Sequence, residues 1–207
     1  MNQLLLPFFY FILPFCGVTQ ADNQIWTLTD RQHLITGLKT SQSGILREIE
    51  QLSDKQMHFR ADSSQWSIAE IVEHISVYEE LLYWDLSNNL YTDERHDLVD
   101  TVKGIDSAMT AYATDPNKGQ ASFVVQPLGR FHKKEDLANY FNRYRNEVIK
   151  LIHDTKADFR LHFVFRPPDW GIWRVRDLHQ YTLLWIAHTE RHLHQIKKVK
   201  ANPNYPK

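Results

Sequence analysis

The sequence predicts an all-α protein, a four-helix bundle. Three observations carry that reading. Four stretches after residue 25 repeat apolar residues every three or four positions, their ends carry helix start and stop signals, and no internal repeat or second domain competes for the chain. The first stretch, Thr29 to Leu52, puts Leu34, Ile35, Leu38, Ile45 and Ile49 on one face. The second opens sharply at Ser67, where Ser67 and Glu70 form a capping box and Trp66 with Ile71 a hydrophobic staple. Its stripe continues through Ile75, Tyr78, Leu81 and Leu82 to about Ser87. The third runs from Lys134 to Asp154, with Leu137, Tyr140, Phe141, Tyr144, Val148 and Leu151 inward. The fourth spans Val175 to Lys200 and stops before Asn202-Pro203.

Two connections are irregular. Leu90 to His132 holds one short helix, Thr101 to Tyr112, and a turn at Asp115-Pro116-Asn117. Loops of that length are uncommon unless they act, for instance by covering a site. Leu161 to Trp173, with Pro167-Pro168 and Gly171, is the other.

Composition narrows the function. Hydrophobic residues make up 43% of 207, enough for one core, and the net charge of -1 excludes nucleic acid as the main partner, which calls for a basic face. Lys197, Lys198 and Lys200 read as a solvated cationic helix end. Leu4 to Val18 is almost wholly apolar, and Thr19-Gln20-Ala21 offers small residues at the -3 and -1 positions of a cleavage site. Residues 1–21 are therefore expected to be a signal peptide and residues 22–207 the folded domain, in the periplasm or secreted. An unprocessed chain would be cytoplasmic. The apolar run is short and broken by Pro7 and Pro14, so no stable membrane span is expected. Cys16, the one cysteine, lies inside this segment behind a bulky Phe15 that suits a lipoprotein box badly. The processed chain would then lack cysteine as nucleophile, metal ligand or disulfide partner.

Eleven histidines are present, and helical geometry selects a few. His188 and His192 are four apart on the fourth stretch, so both imidazoles project from one face. Tyr181, Leu184 and Trp185 lie on or near that face, which turns the pair inward. Two neutral imidazoles so spaced can share a divalent ion; hydrogen-bonded core histidines are an equal reading. His74 sits inward on the second stretch among Ile71, Ile75, Val77 and Tyr78, and spacing alone cannot set it beside the pair. His194 faces away. His33, His58, His96, His132 and His153 are expected in solvent, while His162 and His179 flank Trp170 and Trp173. Gln195, one turn beyond His192, could bond a ligand, a substrate or a neighbouring helix. For Tyr78, Tyr181 and Arg191, substrate orientation stands against core packing for the tyrosines and a surface ion pair for the arginine.

Two motifs resemble the DinB-like superfamily of metal-binding four-helix bundles: Trp66-Ser67-Ile68-Ala69-Glu70-Ile71-Val72-Glu73-His74 and Ile186-Ala187-His188-Thr189-Glu190-Arg191-His192-Leu193-His194-Gln195-Ile196. The likeness covers roughly residues 29 to 200, including Pro127-Leu128-Gly129-Arg130-Phe131. It implies up-down-down-up topology and a long connection between the second and third helices. It also implies His74, His188 and His192 as ligands of one divalent ion (zinc, nickel, iron or manganese), with water completing the shell. Informative relatives are metal-dependent transferases of low-molecular-weight thiols and a maleylpyruvate isomerase that uses a thiol cofactor. The function so implied is a metal-dependent thiol transferase or hydrolase acting on a small molecule. The alternative is a periplasmic protein that binds metal or ligand without turnover. A homodimer is left open.

Overall fold

The structure is a computed structural model and describes residues 25–114, 121–166 and 174–207. The predicted signal peptide with Cys16, the turn at 115–117, and Pro167, Pro168, Trp170, Gly171 and Trp173 lie outside the described residues. Four long helices dominate: α1 (Leu28–Ile49), α3 (Ile68–Asn89), α6 (Lys134–Asp154) and α7 (Leu178–Lys200). Three short ones lie between them: α2 (Asp54–Met57), α4 (Val99–Val102) and α5 (Asp106–Thr114). No helix among the described residues is long and apolar enough to cross a membrane.

Helix starts follow side-chain chemistry. Thr27 with Asp30, Ser67 with Glu70, and Asp177 with Gln180 each close a reciprocal capping box, at the heads of α1, α3 and α7. Each box satisfies two backbone donors that a helix end would otherwise leave exposed.

The core falls into two apolar halves separated by one polar layer. One half holds Leu34, Ile35 and Leu38 of α1, Leu82 and Leu86 of α3, Val148 and Ile152 of α6, and Leu178 to Ala187 positions of α7. The other holds Ile45 and Ile49, Ile68 to Ile75 positions, Leu137 and Phe141, and Ile196 and Val199. Chain order through the halves gives the topology. Helices α1 and α7 run from the first half to the second, whereas α3 and α6 run the other way. The bundle is therefore up-down-down-up. Gly37 and Gly44 let α1 lie close to α7: a Cβ there would stand 2.9 Å from Ile186 Cδ1 and 2.7 Å from Leu193 Cδ2.

The layer between the halves centres on Arg145, which is fully buried. Its Nε donates to Glu79 Oε2 at 2.7 Å and its Nη2 to Glu79 Oε1 and to Thr189 Oγ1 at 2.9 Å. Its Nη1 donates to Leu38 O at 3.0 Å and Ser41 Oγ at 2.8 Å. Every long helix contributes a group. Burial pushes the Glu79 carboxyl up, and the Arg145 charge opposes that shift.

Two sequence expectations need correction. Residues 175–177 are not helical but form a strand, β2 (Val175–Asp177), paired antiparallel with β1 (Phe163–Phe165) in the register Phe163↔Asp177, Val164↔Arg176, Phe165↔Val175. Helix α7 starts one residue after its cap, Asp177, whose carboxylate accepts from Gln180 N at 2.7 Å. The short helix foreseen at Thr101 to Tyr112 is two, α4 and α5, parted by Gly104 with φ of +80°. That left-handed conformation favours glycine and ends a helix.

The start of the described chain is pinned to the segment just after α6. Ile25 N and Trp26 N donate to the buried Asp158 carboxylate at 2.6 and 3.0 Å, and Trp26 stacks on Phe159 at 4.4 Å.

Candidate metal centre

Helix α3 carries His74 and α7 carries His188 and His192, all three buried. Their ring nitrogens converge: one from each residue lies within 4.8 Å of the other two. His188 Nε2 and His192 Nε2 are 3.2 Å apart. Two donors at about 2.0–2.1 Å from a tetrahedral ion stand about 3.3 Å apart, so this spacing suits a shared cation. Among the described residues no carboxylate or further imidazole joins the cluster.

The outer nitrogens are held in ways that turn the inner ones toward a common point. His74 Nδ1 donates to Val125 O at 2.7 Å; a carbonyl only accepts, so Nε2 keeps its lone pair. His192 Nδ1 lies 2.8 Å from Gln195 Oε1 on the same helix, with the same consequence. Gln195 thus engages His192 on its own helix, and its side chain also lines the cleft. Burial pushes the His74 imidazole down to about 4, with the Arg191 charge adding to the effect and the Val125 bond opposing it. His74 is thus neutral near pH 7, the form a metal needs.

Aromatic rings fix the imidazoles from the sides. Trp66 lies 4.8 Å from the His74 ring, Tyr78 lies 4.8 Å from His74 and 4.7 Å from His188, and Trp185 lies 5.3 Å from His188. The same three residues and the triad line a cleft of about 1260 Å³. Its wall includes residues 121–122 and 124–127, so the long connection between the second and third long helices does reach the site.

Sequence reasoning missed the reason that connection sits there. Glu73 is buried beside His74 and accepts from Leu128 N at 2.8 Å, Gly129 N at 3.1 Å, Arg130 N at 3.3 Å and Arg130 Nη1 at 2.7 Å. A carboxylate taking several backbone donors organises the loop into a tight wrap, in which Gly129 adopts φ of +71°. That wrap delivers Val125 O to His74. A glutamate at an inward helical position beside a candidate ligand was the signal on offer.

The remaining histidines divide. His33, His58, His96, His132, His153 and His194 are exposed. His162 and His179 are buried, but His179 Nδ1 accepts from Trp26 Nε1 at 3.0 Å and belongs to the Asp106 and Arg160 network. Tyr78 is half-buried against the triad, and Tyr181 donates its hydroxyl to Asp85, which also pairs with Arg166 at 2.6 Å. Arg191 departs from the expected surface ion pair. It is half-buried on the cleft wall, its Nη2 lies 3.1 Å from His192 Nε2, and no carboxylate pairs with it among the described residues. Burial pulls its guanidinium below the ordinary value, Tyr78 opposing, yet an arginine stays charged in protein.

Fold and site together define a class: a four-helix bundle with a buried three-histidine cluster that could hold a metal, set in the wall of a cleft. Known proteins place the chain more narrowly. A family model described as the DinB superfamily matches residues 38–196, and the chain belongs to that superfamily. Among solved structures it is similar to YfiT from Bacillus subtilis, described as a probable metal-dependent hydrolase with an unusual four-helix bundle topology. The TM-score is 0.58 at 12% identity, over 84% of this chain and 87% of that one, a likeness of fold. No curated protein sequence matches the chain.

Proposed function

We propose that His74, His188 and His192 hold one divalent metal ion and that the protein is a metal-dependent hydrolase of a small molecule, acting in the periplasm or outside the cell. One observation carries the reading: three buried imidazoles, joined by no fourth protein donor among the described residues, stand in the wall of a large cleft. Structural metal sites close their coordination shell with protein, whereas catalytic ones keep positions for water and substrate. The donor set is neutral and all nitrogen, which suits zinc, nickel or iron better than manganese.

When bound there, a divalent ion supplies Lewis-acid chemistry, acidifying water and polarising an electrophile. The chain's own groups do the rest. Val125 O and Gln195 Oε1 set the ring orientation of two ligands, as outer partners of metal-bound histidines do. Trp66, Tyr78 and Trp185 supply an apolar wall that seats a substrate and excludes bulk water. Thiol transfer would use the same open site. Export at a signal peptide of residues 1–21 would separate the protein from cytoplasmic thiols, and that tilts the proposal to hydrolysis.

Metal analysis of protein purified from its own compartment tests the first half. About one equivalent is expected, and a content below ~0.2 equivalents that is unchanged in His188→Ala and His192→Ala would refute it, ligand occupancy being strongly pH-dependent. A panel of esters, phosphoesters and amides, assayed with loaded and chelator-treated protein, tests the second. Turnover should follow metal content and fall at least about a hundredfold in His188→Ala, the scale of losing a catalytic metal's role. Cell fractionation locates the protein; a cytoplasmic, uncleaved chain would reopen thiol transfer.

A further inference from the structure

We infer that Arg191 is a substrate-anchoring cation, binding an oxyanion of the substrate, a carboxylate or a phosphate, beside the three histidines. This deepens the reading of the site as a metal centre and rests on it for where the anion lies.

Charge accounting leads there. Three neutral imidazoles leave the full double charge of a divalent ion uncompensated, and Arg191 adds a third positive charge next to it. The carboxylates on the cleft wall are already engaged: Glu70 pairs with Arg60, and Asp85 pairs with Arg166 and accepts from Tyr181. Glu73, beside His74, is taken up by the loop amides and Arg130. Unlike Arg60, Arg130 and Arg166, Arg191 has no carboxylate partner among the described residues, although it is half-buried. Its Nε is a buried donor with no hydrogen-bond partner there. Its Nη2 faces His192 Nε2, an atom that a metal ion would claim. A bound ion would therefore leave the whole fork of the guanidinium to seek another acceptor. A planar fork of donors matches a carboxylate or phosphate in two parallel hydrogen bonds.

A second cation extends the same face. Lys198 lies seven residues on, exposed on the cleft wall, about 10 Å along the helix axis from Arg191. The cleft thus offers one cation beside the histidines and an exposed one further along α7, in a wall that also carries the apolar rings of Trp66, Tyr78 and Trp185. An amphipathic small acid fits that pattern better than a neutral or cationic compound.

Calorimetric titration with inorganic phosphate and with succinate tests the inference on the full chain, metal-free and loaded with Co2+. Wild type should bind at least one of the two with millimolar affinity or better. Arg191→Gln should weaken that binding tenfold or more while still taking up one Co2+, and Arg191→Lys should fall between. The two probes separate a phosphate substrate from a carboxylate one. Unchanged anion affinity in Arg191→Gln, or no binding of either probe by wild type up to about 10 mM, overturns the anchor, since a bidentate charged pair is among the stronger hydrogen-bonded contacts. Should Arg191→Gln fail to fold by circular dichroism, the Arg191→Lys affinity decides in its place. Absence of Co2+ uptake by wild type would sink the metal centre instead, and the metal-free titrations would still decide the anchor.

Discussion

Acid should destabilise this protein through His179, a residue remote from the triad in role. Its imidazole is buried, and burial together with the Arg160 charge pushes it down to about 4, against the pull of Asp106 and Asp30. The Trp26 Nε1 donor at 3.0 Å needs the Nδ1 lone pair, so the folded state prefers the neutral ring. The sign follows from linkage. A histidine depressed in the folded state binds its proton better when unfolded, so its contribution is intact above about 6.5 and is lost as pH falls toward 4. The interval between 6.5 and about 4 corresponds to about 3 kcal/mol at full protonation, and to about 2–3 kcal/mol between pH 7 and 4.5. Replacing His179 with asparagine keeps an acceptor near Trp26 and removes the titration. Urea unfolding in chelator, followed by tryptophan fluorescence at both pH values, reads the difference. His74 is depressed as well and contributes equally to both proteins, so it cancels. Wild type should lose about 2–3 kcal/mol more than His179→Asn on acidification. Equal losses in the two proteins would show the linkage argument to be wrong.

Three further outcomes follow from the packing. Arg145→Met strands the buried Glu79 carboxylate and should cost about 3–5 kcal/mol by urea unfolding, with the double variant carrying Glu79→Met recovering much of it. A double variant no better than the single one would count against a coupled pair. Glu73→Gln turns one of the two oxygens that hold three loop amides into a donor and removes the charge that pairs with Arg130, so metal affinity, measured by competition with a chromophoric chelator, should drop about 10- to 100-fold as outer-partner changes do. An unaltered affinity would mean that the loop does not orient His74. Ser67→Ala opens the capping box of α3 and should cost about 1 kcal/mol in unfolding free energy; a change within ~0.3 would mean the cap is inert.

How much of this was written in the sequence depends on the range of each interaction. Local signals were legible. The Ser67 box, the stop after Lys200 and the shared face of His188 and His192 are set by residues three or four apart. The strands β1 and β2 were not, because three residues are too few for a period to register and their pairing spans the chain from Phe163 to Asp177. For that reason the helical pattern of the last stretch reads on through Val175, which the structure places in β2. The polar layer was invisible for a related reason. Arg145 and Glu79 each look like ordinary charged residues on a long helix, and only the packing of four helices hides them. Within the site, the pair on α7 was readable from spacing, whereas bringing His74 to it is a tertiary event that no periodicity encodes. Glu73 is not legible because a glutamate next to an inward histidine usually faces water, and here the loop wrap encloses it; Arg191 is legible as a candidate, but only the cleft wall decides against a surface ion pair.

The buried charge pair also acts as a gauge. Glu79 follows His74 by five positions on α3, and Thr189 follows His188 by one on α7; both touch the same guanidinium. Sliding α7 past α3 by a single residue would carry His188 about 1.5 Å along the axis, more than a coordination bond tolerates. The same slip would tear an arginine from its acceptors inside hydrocarbon. The depth at which the two helices present their imidazoles is therefore calibrated from within, by atoms hidden from solvent and set behind the cleft wall.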